Sequence, residues 1–444
     1  MKKKNFLPLF NPSLAKLKRI LIISPHFPPA NAADMQRVRM SLPYFKEFEW
    51  EAEVVTVDEN YVDMVKDPLL LDSIPNNIII HKVNAFSKKW TSKIGLGSLA
   101  LRSLWFYRKK VNQLLKSKKF DLIYFSTTEF PVCILGSYWK DKFNIPYVID
   151  MQDPWHSDYY QDKPKSERPK KYWFSYRLHK FLEPIAMKNV DGLISVSEKY
   201  INTLKDRYAN LATLPAKVIT FGANEQDFKI VQKNNDQLKL YYTPSTTKLN
   251  LVYVGRGGYD MRDALEILFK AFKTGLENEP HLFENIHFHF IGTSYAPAGK
   301  GIATISPIAD SINISNYVTE YTNRIGFYES IKQLITSDGL IIIGSNDSSY
   351  TASKLYPYIL AKKQLLGIFN EMSSAAKIMM DCNAGHLITF NDNQNEAYEK
   401  LHRYIISVKN QFPISTNFTA FEPYTASSMT KSQVELFNKV LISK

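Results

Sequence analysis

A strand-then-helix alternation that runs its course and then starts again is what most constrains this chain. Arg19-Ile20-Leu21-Ile22-Ile23-Ser24 is a short β-branched run closed by the loop signal Pro25-His26-Phe27-Pro28-Pro29. Apolar residues at every position, rather than at alternate ones, suit a parallel strand covered on both faces. A helix is expected over residues 34–45. Further strands are expected at 52–57, 78–83, 122–125, 147–149 and 192–196, with helices at 99–116 and 172–188 among them. Residues 229–248 are polar and aperiodic and read as a linker. Leu249-Asn250-Leu251-Val252-Tyr253-Val254-Gly255 then opens a second series. It holds a helix at 264–274 and strands at 287–291, near Val318, and at 339–343 and 365–369. The tail, 427–442, has Val434, Leu436, Phe437, Val440 and Leu441 at helical spacing and reads as a terminal amphipathic helix.

Strands alternating with helices imply an α/β fold of doubly wound, mostly parallel sheets. A chain of 444 residues exceeds one ordinary core. The expected division is a first unit at 1–225, a linker at 226–248, a second unit at 249–410, and a crossing segment with a helix at 411–444. Two such sheets in series place a cleft between them, where ligands of this architecture bind. The only cysteines, Cys133 and Cys382, lie far apart, so neither a disulfide framework nor a cysteine metal site is expected. Residues 1–19 carry six basic and no acidic side chains but lack the apolar core of a signal peptide. No apolar run approaches the roughly 20 residues that span a bilayer. The expectation is a cytoplasmic protein, soluble or held on the inner face of the cell membrane.

Three segments could meet an anion. After the first strand, Asn31-Ala32-Ala33-Asp34 offers small residues that admit a ligand to backbone amides at a helix start. The alternative is an ordinary loop with Asp34 as N-cap. After the strand that opens the second series, Val254-Gly255-Arg256-Gly257-Gly258 is followed by Arg262. Glycines let a phosphate approach and guanidinium groups donate in pairs, which suits a diphosphate. The Gly-Lys-Ser ending of a Walker loop is missing, as is a full dinucleotide fingerprint. The alternative is a tight turn with surface arginines. Third, hydroxyl groups and a lysine, Ser345-Asn346-Asp347-Ser348-Ser349-Tyr350-Thr351-Ala352-Ser353-Lys354, follow the apolar strand at 340–343.

Ser353-Lys354-Leu355-Tyr356-Pro357-Tyr358-Ile359-Leu360-Ala361-Lys362-Lys363 resembles a signature of bacterial glycosyltransferases of the GT-B architecture, close to glycosyltransferase family 4. Arg324-Ile325-Gly326-Phe327-Tyr328-Glu329 and Pro28-Pro29 with Arg37 and Arg39 resemble other segments of those enzymes, in the family's order, from about residue 19 to residue 405. The resemblance implies two Rossmann-like domains facing a central cleft, the first on the acceptor side and the second holding a nucleotide-sugar. Carried over by position, Arg256 and Lys354 face the donor diphosphate. Arg262 is a further cation, Gly257 and Ser353 stand beside them, and Asn31, Ala32 and Asp34 close from the other domain. No cofactor and no metal are implied; fixed cations stabilise the leaving diphosphate, and the absence of an Asp-X-Asp motif agrees. The chain departs from the family where two glutamates seven residues apart are usual, having Ser349 and Pro357 instead. Ala32-Ala33 stands in place of a glycine pair.

Tyr147-Val148-Ile149-Asp150-Met151-Gln152-Asp153-Pro154-Trp155-His156 resembles the family's D-x-R-D-x-W segment, with Gln152 for arginine. Asp153 is the first candidate for a catalytic acceptor-side group, ahead of His156 and His26. An aspartate before proline is also a common turn former. In a retaining transferase the leaving phosphate can take the acceptor proton, so no protein base is required. The implied activity is sugar transfer to a glycan or lipid-linked acceptor, retaining and metal-independent, in cell-surface polysaccharide or glycoconjugate synthesis. The alternative is a non-catalytic relative that only binds a nucleotide-sugar or glycan, since the glutamates are missing. An epimerase of the same fold would need acid and base groups that are not evident.

The net charge of +13 gathers in two places. Arg102, Arg108, Lys109, Lys110, Lys116, Lys118 and Lys119 accompany Trp105, Phe106 and Tyr107. Lys163, Lys165, Arg168, Lys170, Lys171, Arg177 and Lys180 accompany Tyr172, Trp173, Phe174 and Tyr176. Basic residues interleaved with aromatics suit an anionic membrane surface, with Trp105, Lys109, Lys171 and Trp173 as its contacts. The alternative is solvated helices whose aromatics face the core. No nucleic-acid motif accompanies the charge, so nucleic acid is not expected.

Overall fold

In the computed structural model the described residues are 17–156, 158, 161, 168, 172–294, 296, 299–347 and 353–442. Two parallel sheets carry the architecture. The first holds β1 (Lys18–Ile23), β2 (Trp50–Val57), β3 (Ile79–Val83), β4 (Leu122–Ser126), β5 (Tyr147–Met151), β6 (Gly192–Ser195) and β7 (Ala216–Val218), in the order β3-β2-β1-β4-β5-β6-β7. The second holds β8 (Leu249–Val254), β9 (Ile286–Ile291), β10 (Val318–Tyr321), β11 (Gly339–Ile343), β12 (Gln364–Phe369) and β13 (His386–Thr389), in the order β10-β9-β8-β11-β12-β13. Every pairing of these strands is parallel. The fold is α/β, with two doubly wound domains facing a cleft.

Burial explains the strand signals. Ile20, Leu21, Ile22 and Ile23 are wholly buried, two on each face, and so are Leu340, Ile342 and Ile343 of β11. The terminal helix, Ala426–Ile442, returns from the second domain to cover the first sheet. Phe437 lies against Tyr124, Trp50 and Phe45 at ring-centre separations of 5.1, 5.7 and 6.4 Å. Burying an aromatic of this size contributes about 1.5–3 kcal/mol.

The expected linker is corrected in its first part, where Glu225–Lys233 is a helix. Its Ile230 and Val231 pack with Ala32, Met35 and Leu70 of the first domain and with Tyr328 and Ile331 of the helix Phe327–Thr336. The pattern escaped detection because these apolar residues meet two partners rather than one core. At the same junction Arg39 donates to both carboxylate oxygens of Asp227, at 2.6 and 2.8 Å, and the Tyr328 hydroxyl donates to Asp227 at 3.3 Å. The expected first helix is also shorter, Gln36–Ser41.

Candidate functional site

Each sheet changes winding direction once, and a doubly wound sheet offers its ligand crevice at that switch point. In the second sheet it falls between β8 and β11. The loop after β8 carries Arg256 and the loop after β11 leads to Lys354, so chain segments about a hundred residues apart meet there. Gly255 has φ +149°, a conformation that favours glycine. A Cβ at this position would stand 3.0 Å from the Lys354 Nζ. Tyr253 positions the group: its hydroxyl donates to the Arg256 carbonyl at 2.7 Å and accepts from the Lys354 ammonium, which also lies 4.6 Å from the ring centre. Arg256 donates through both terminal nitrogens to Asp260, at 2.9 and 2.7 Å. Burial, and then the Arg256 charge, hold the Lys354 amine down to about 7, with Asp260 partly offsetting them.

These groups open on a cavity of about 530 Å³ between the domains, a size typical of small-molecule sites. Arg256, Arg324, Ser353 and Lys354 line it from the second domain, Asn31 and Gln36 from the first, and Asp227 from the connecting helix. Asp227 is engaged by Arg39, so the balance of charge is positive. The arrangement can receive a compact polyanion and stabilise negative charge that develops on it.

The first sheet's switch point, between β1 and β4, is filled by its own side chains. Asp34 accepts from Thr127 Oγ1 at 2.9 Å and the Thr128 amide at 3.1 Å, and pairs with His26 Nδ1 at 3.0 Å. Burial opposes both charges, yet their mutual attraction prevails: the His26 imidazole is raised and the Asp34 carboxyl lowered. Next to them, Asp150 accepts from Arg37 Nε at 2.7 Å, Ser126 Oγ at 2.9 Å and Gln152 Nε2 at 3.0 Å. Gln152 thus serves this internal network.

The predicted site residues divide accordingly. Arg256, Ser353, Lys354 and Asn31 line the cavity. Ala32 does not: it is buried in the junction, and Ala33 lines the cavity in its stead. Asp34 is neither an N-cap nor a cleft group, because His26 and the β4 loop surround it. Gly257 is covered, since a Cβ there would meet Ile305 at 2.8 Å. Arg262 points outward and pairs with Glu266 at 2.8 Å on the helix Arg262–Asn278. Asp153 is exposed and lines no described cavity; protein crowding and then the Asp34 charge raise its carboxyl. His156 lines a second cavity. Ser349 and Lys171 lie outside the described residues. Arg324 and Tyr253 were missed. The signal for Arg324 was a basic residue just past a strand of the second series.

The basic clusters are only partly at the surface. Arg102 is buried and donates to the Phe86 and Tyr61 carbonyls, both at 2.9 Å, and Tyr107 is buried too. Trp105 is exposed, with Lys109 Nζ 5.3 Å from its ring centre. On the helix Tyr172–Met187 the exposed positions Trp173, Arg177, Lys180, Phe181 and Ile185 recur at helical spacing. A segment the sequence did not single out joins them: Trp90 and Ile94, each 68% exposed, beside Lys88, Lys89 and Lys93. A Cβ on Gly95 would stand 2.7 Å from Phe174, which places that segment against the helix. Among the described residues no helix is long and apolar enough to cross a membrane.

No family model matches the chain, and no curated protein sequence matches it. Solved structures do. The N-terminal domain of the trehalose-6-phosphate phosphatase of Candida albicans is similar with a TM-score of 0.59 at 14% identity, over 99% of both chains. A glycosyltransferase of Rickettsia africae ESF-5 has a TM-score of 0.56 at 13% identity, covering 96% of this chain and 100% of its own. A TarM mutant of S. aureus, in complex with fondaparinux, α-GlcNAc-glycerol and UDP, has a TM-score of 0.55 at 12% identity, covering 95% and 100%. At these identities the likeness establishes the fold: two Rossmann-like domains in the GT-B arrangement.

Proposed function

We propose that this chain is a glycosyltransferase, moving a sugar from a nucleotide-sugar to a hydroxyl of a glycan or lipid-linked acceptor, with retention and without a metal. The observation that carries this reading is the convergence of Arg256 and Lys354 at the switch point of the second sheet, on a cavity that Arg324 also lines. In the reaction the bond from the sugar's anomeric carbon to phosphate breaks, and the nucleoside diphosphate leaves with the electron pair. The acceptor oxygen bonds to that carbon, and its proton passes to the leaving phosphate. Arg256, Lys354 and Arg324 stabilise the developing negative charge, a preorganised electrostatic role. The UDP in the similar S. aureus structure supports a nucleotide ligand. The test is release of nucleoside diphosphate from a panel of nucleotide-sugars supplied with cell-envelope lipid extract. Turnover with one donor is expected; release from none of them would contradict the reading.

The acceptor side acts at an anionic membrane surface in cell-surface glycoconjugate synthesis. Support comes from Trp90, Trp105, Trp173 and Phe181 standing exposed among lysines and arginines on one domain. Each basic residue near an anionic surface contributes about 1 kcal/mol. Co-sedimentation with phosphatidylglycerol vesicles at low salt is expected, and Trp173→Ser with Phe181→Ser should abolish it. Retention of the double variant on the vesicles would remove this face from the account.

A further inference from the structure

The second cavity, of about 420 Å³, lies at the carboxyl ends of β5 and β6. Trp155, His156, Glu183, Tyr200 and Arg207 line it from the first domain, and Asp347 faces it from the loop after β11. The same loop leads to Ser353 and Lys354, which line the first cavity. One loop of the second domain therefore serves both spaces.

Three buried polar side chains of this cavity keep unused hydrogen-bonding capacity among the described residues. His156 is 8% exposed, and neither ring nitrogen has a hydrogen-bond partner; the nearest carboxylate, Asp158, is 4.0 Å from Nε2. Glu183 is 1% exposed. Its Oε1 accepts from Arg207 and, at 2.9 Å, from the Tyr208 hydroxyl, while Oε2 has no partner. Trp155 Nε1 has none either. Native proteins leave few such groups unsatisfied. Here the side chains that carry an indole that only donates, a carboxylate oxygen that only accepts and an imidazole that does both belong to the lining of one space.

The charges narrow the ligand. Asp158, Glu183 and Asp347 oppose Lys199 and Arg207 around the cavity. An anion would face three carboxylates, and a cation would face two positive side chains. Burial first, and the Arg207 charge second, keep the His156 imidazole below its ordinary value, so it serves as a neutral donor and acceptor. A hydroxyl group, which also donates and accepts, matches this set, and aromatic walls suit a sugar ring. We propose that this cavity holds an uncharged sugar ring of the acceptor, its hydroxyls bound by His156 and Glu183. The inference rests on the transferase reading and names the part of the acceptor that reading leaves open.

The test is binding of the full chain to an array of neutral and anionic glycans, with UDP affinity measured separately by calorimetry. The wild type should retain neutral glycans. His156→Ala should lower that signal at least about tenfold by removing hydrogen bonds to the ligand. Thr203→Trp, which fills the cavity from the helix Glu198–Arg207, should do the same without disturbing the core. Both variants should keep the wild-type UDP affinity. Retention of anionic glycans alone, retention of none, or full glycan binding by Thr203→Trp would overturn the proposal. Neutral-glycan binding that responds to both variants, without binding of UDP or of any donor in the nucleotide-sugar panel, would sink the transferase reading and leave the sugar cavity standing.

Discussion

Between β1 and β4 the first sheet closes its switch point with its own side chains; between β8 and β11 the second sheet leaves cations facing a cavity. Asp34 and Asp150 have their charges matched by His26 and Arg37; hydroxyls and amides add further bonds to one oxygen of each, while Asp150 Oδ1 has no partner among the described residues. Among the described residues Lys354 hydrogen-bonds the Tyr253 hydroxyl, and its amine is driven toward the neutral form. The same winding thus yields a preset platform on one side and a charge-responsive pocket on the other. The difference supports the proposal that the second domain takes the diphosphate. Asp34 and Asp150, which look functional in isolation, are held in this internal network.

The largest expected effect breaks the platform. Asp150→Ala leaves the fully buried Arg37 without its carboxylate and should cost about 3–5 kcal/mol in denaturant unfolding. Lys354→Met should cost little, because it removes a buried amine that folding does not favour in its charged form. Equal losses for the two variants would erase the distinction between the switch points. The next effect sharpens the pocket side. The free Lys354 amine titrates at about 7, and a bound diphosphate favours its charged form and raises that value. Above pH 7, binding therefore takes up a proton, and UDP affinity should fall by up to about tenfold per pH unit until the raised value is reached. Calorimetry between pH 6.5 and 9 checks this, and a flat profile would show that Lys354 does not meet the anion. The smallest effect is at Arg262. Its side chain pairs with Glu266 away from the cavity, so Arg262→Ala should leave UDP affinity unchanged in the same titration.

The fold was legible where burial makes a strand apolar throughout, as in β1, β8 and β11. It was not legible in the edge strands β7 and β13, which are three and four residues long and show too little pattern to separate from loops. The helix Glu225–Lys233 was hidden because its apolar residues serve a junction between domains. At the site, Arg256 and Lys354 were assigned by the resemblance, each on the loop after an apolar strand. Little local distinguished Arg256 from Arg262, for one lies within the glycine-rich turn and the other just after it. Tyr253 and the crossing of β8 beside β11 make that distinction, and only tertiary structure supplies them. Asp34 misled for the same reason, since its partner Thr127 lies 93 residues away.

The central claim is that the second sheet's switch point binds a nucleoside diphosphate through Lys354. Calorimetric titration of UDP into the wild type and Lys354→Met at pH 6.5 tests it most directly. The account predicts binding by the wild type, weakened by about 1.5–3 kcal/mol in the variant as a charge-assisted hydrogen bond is lost, or roughly 10- to 150-fold. Equal affinity in the two proteins would contradict it.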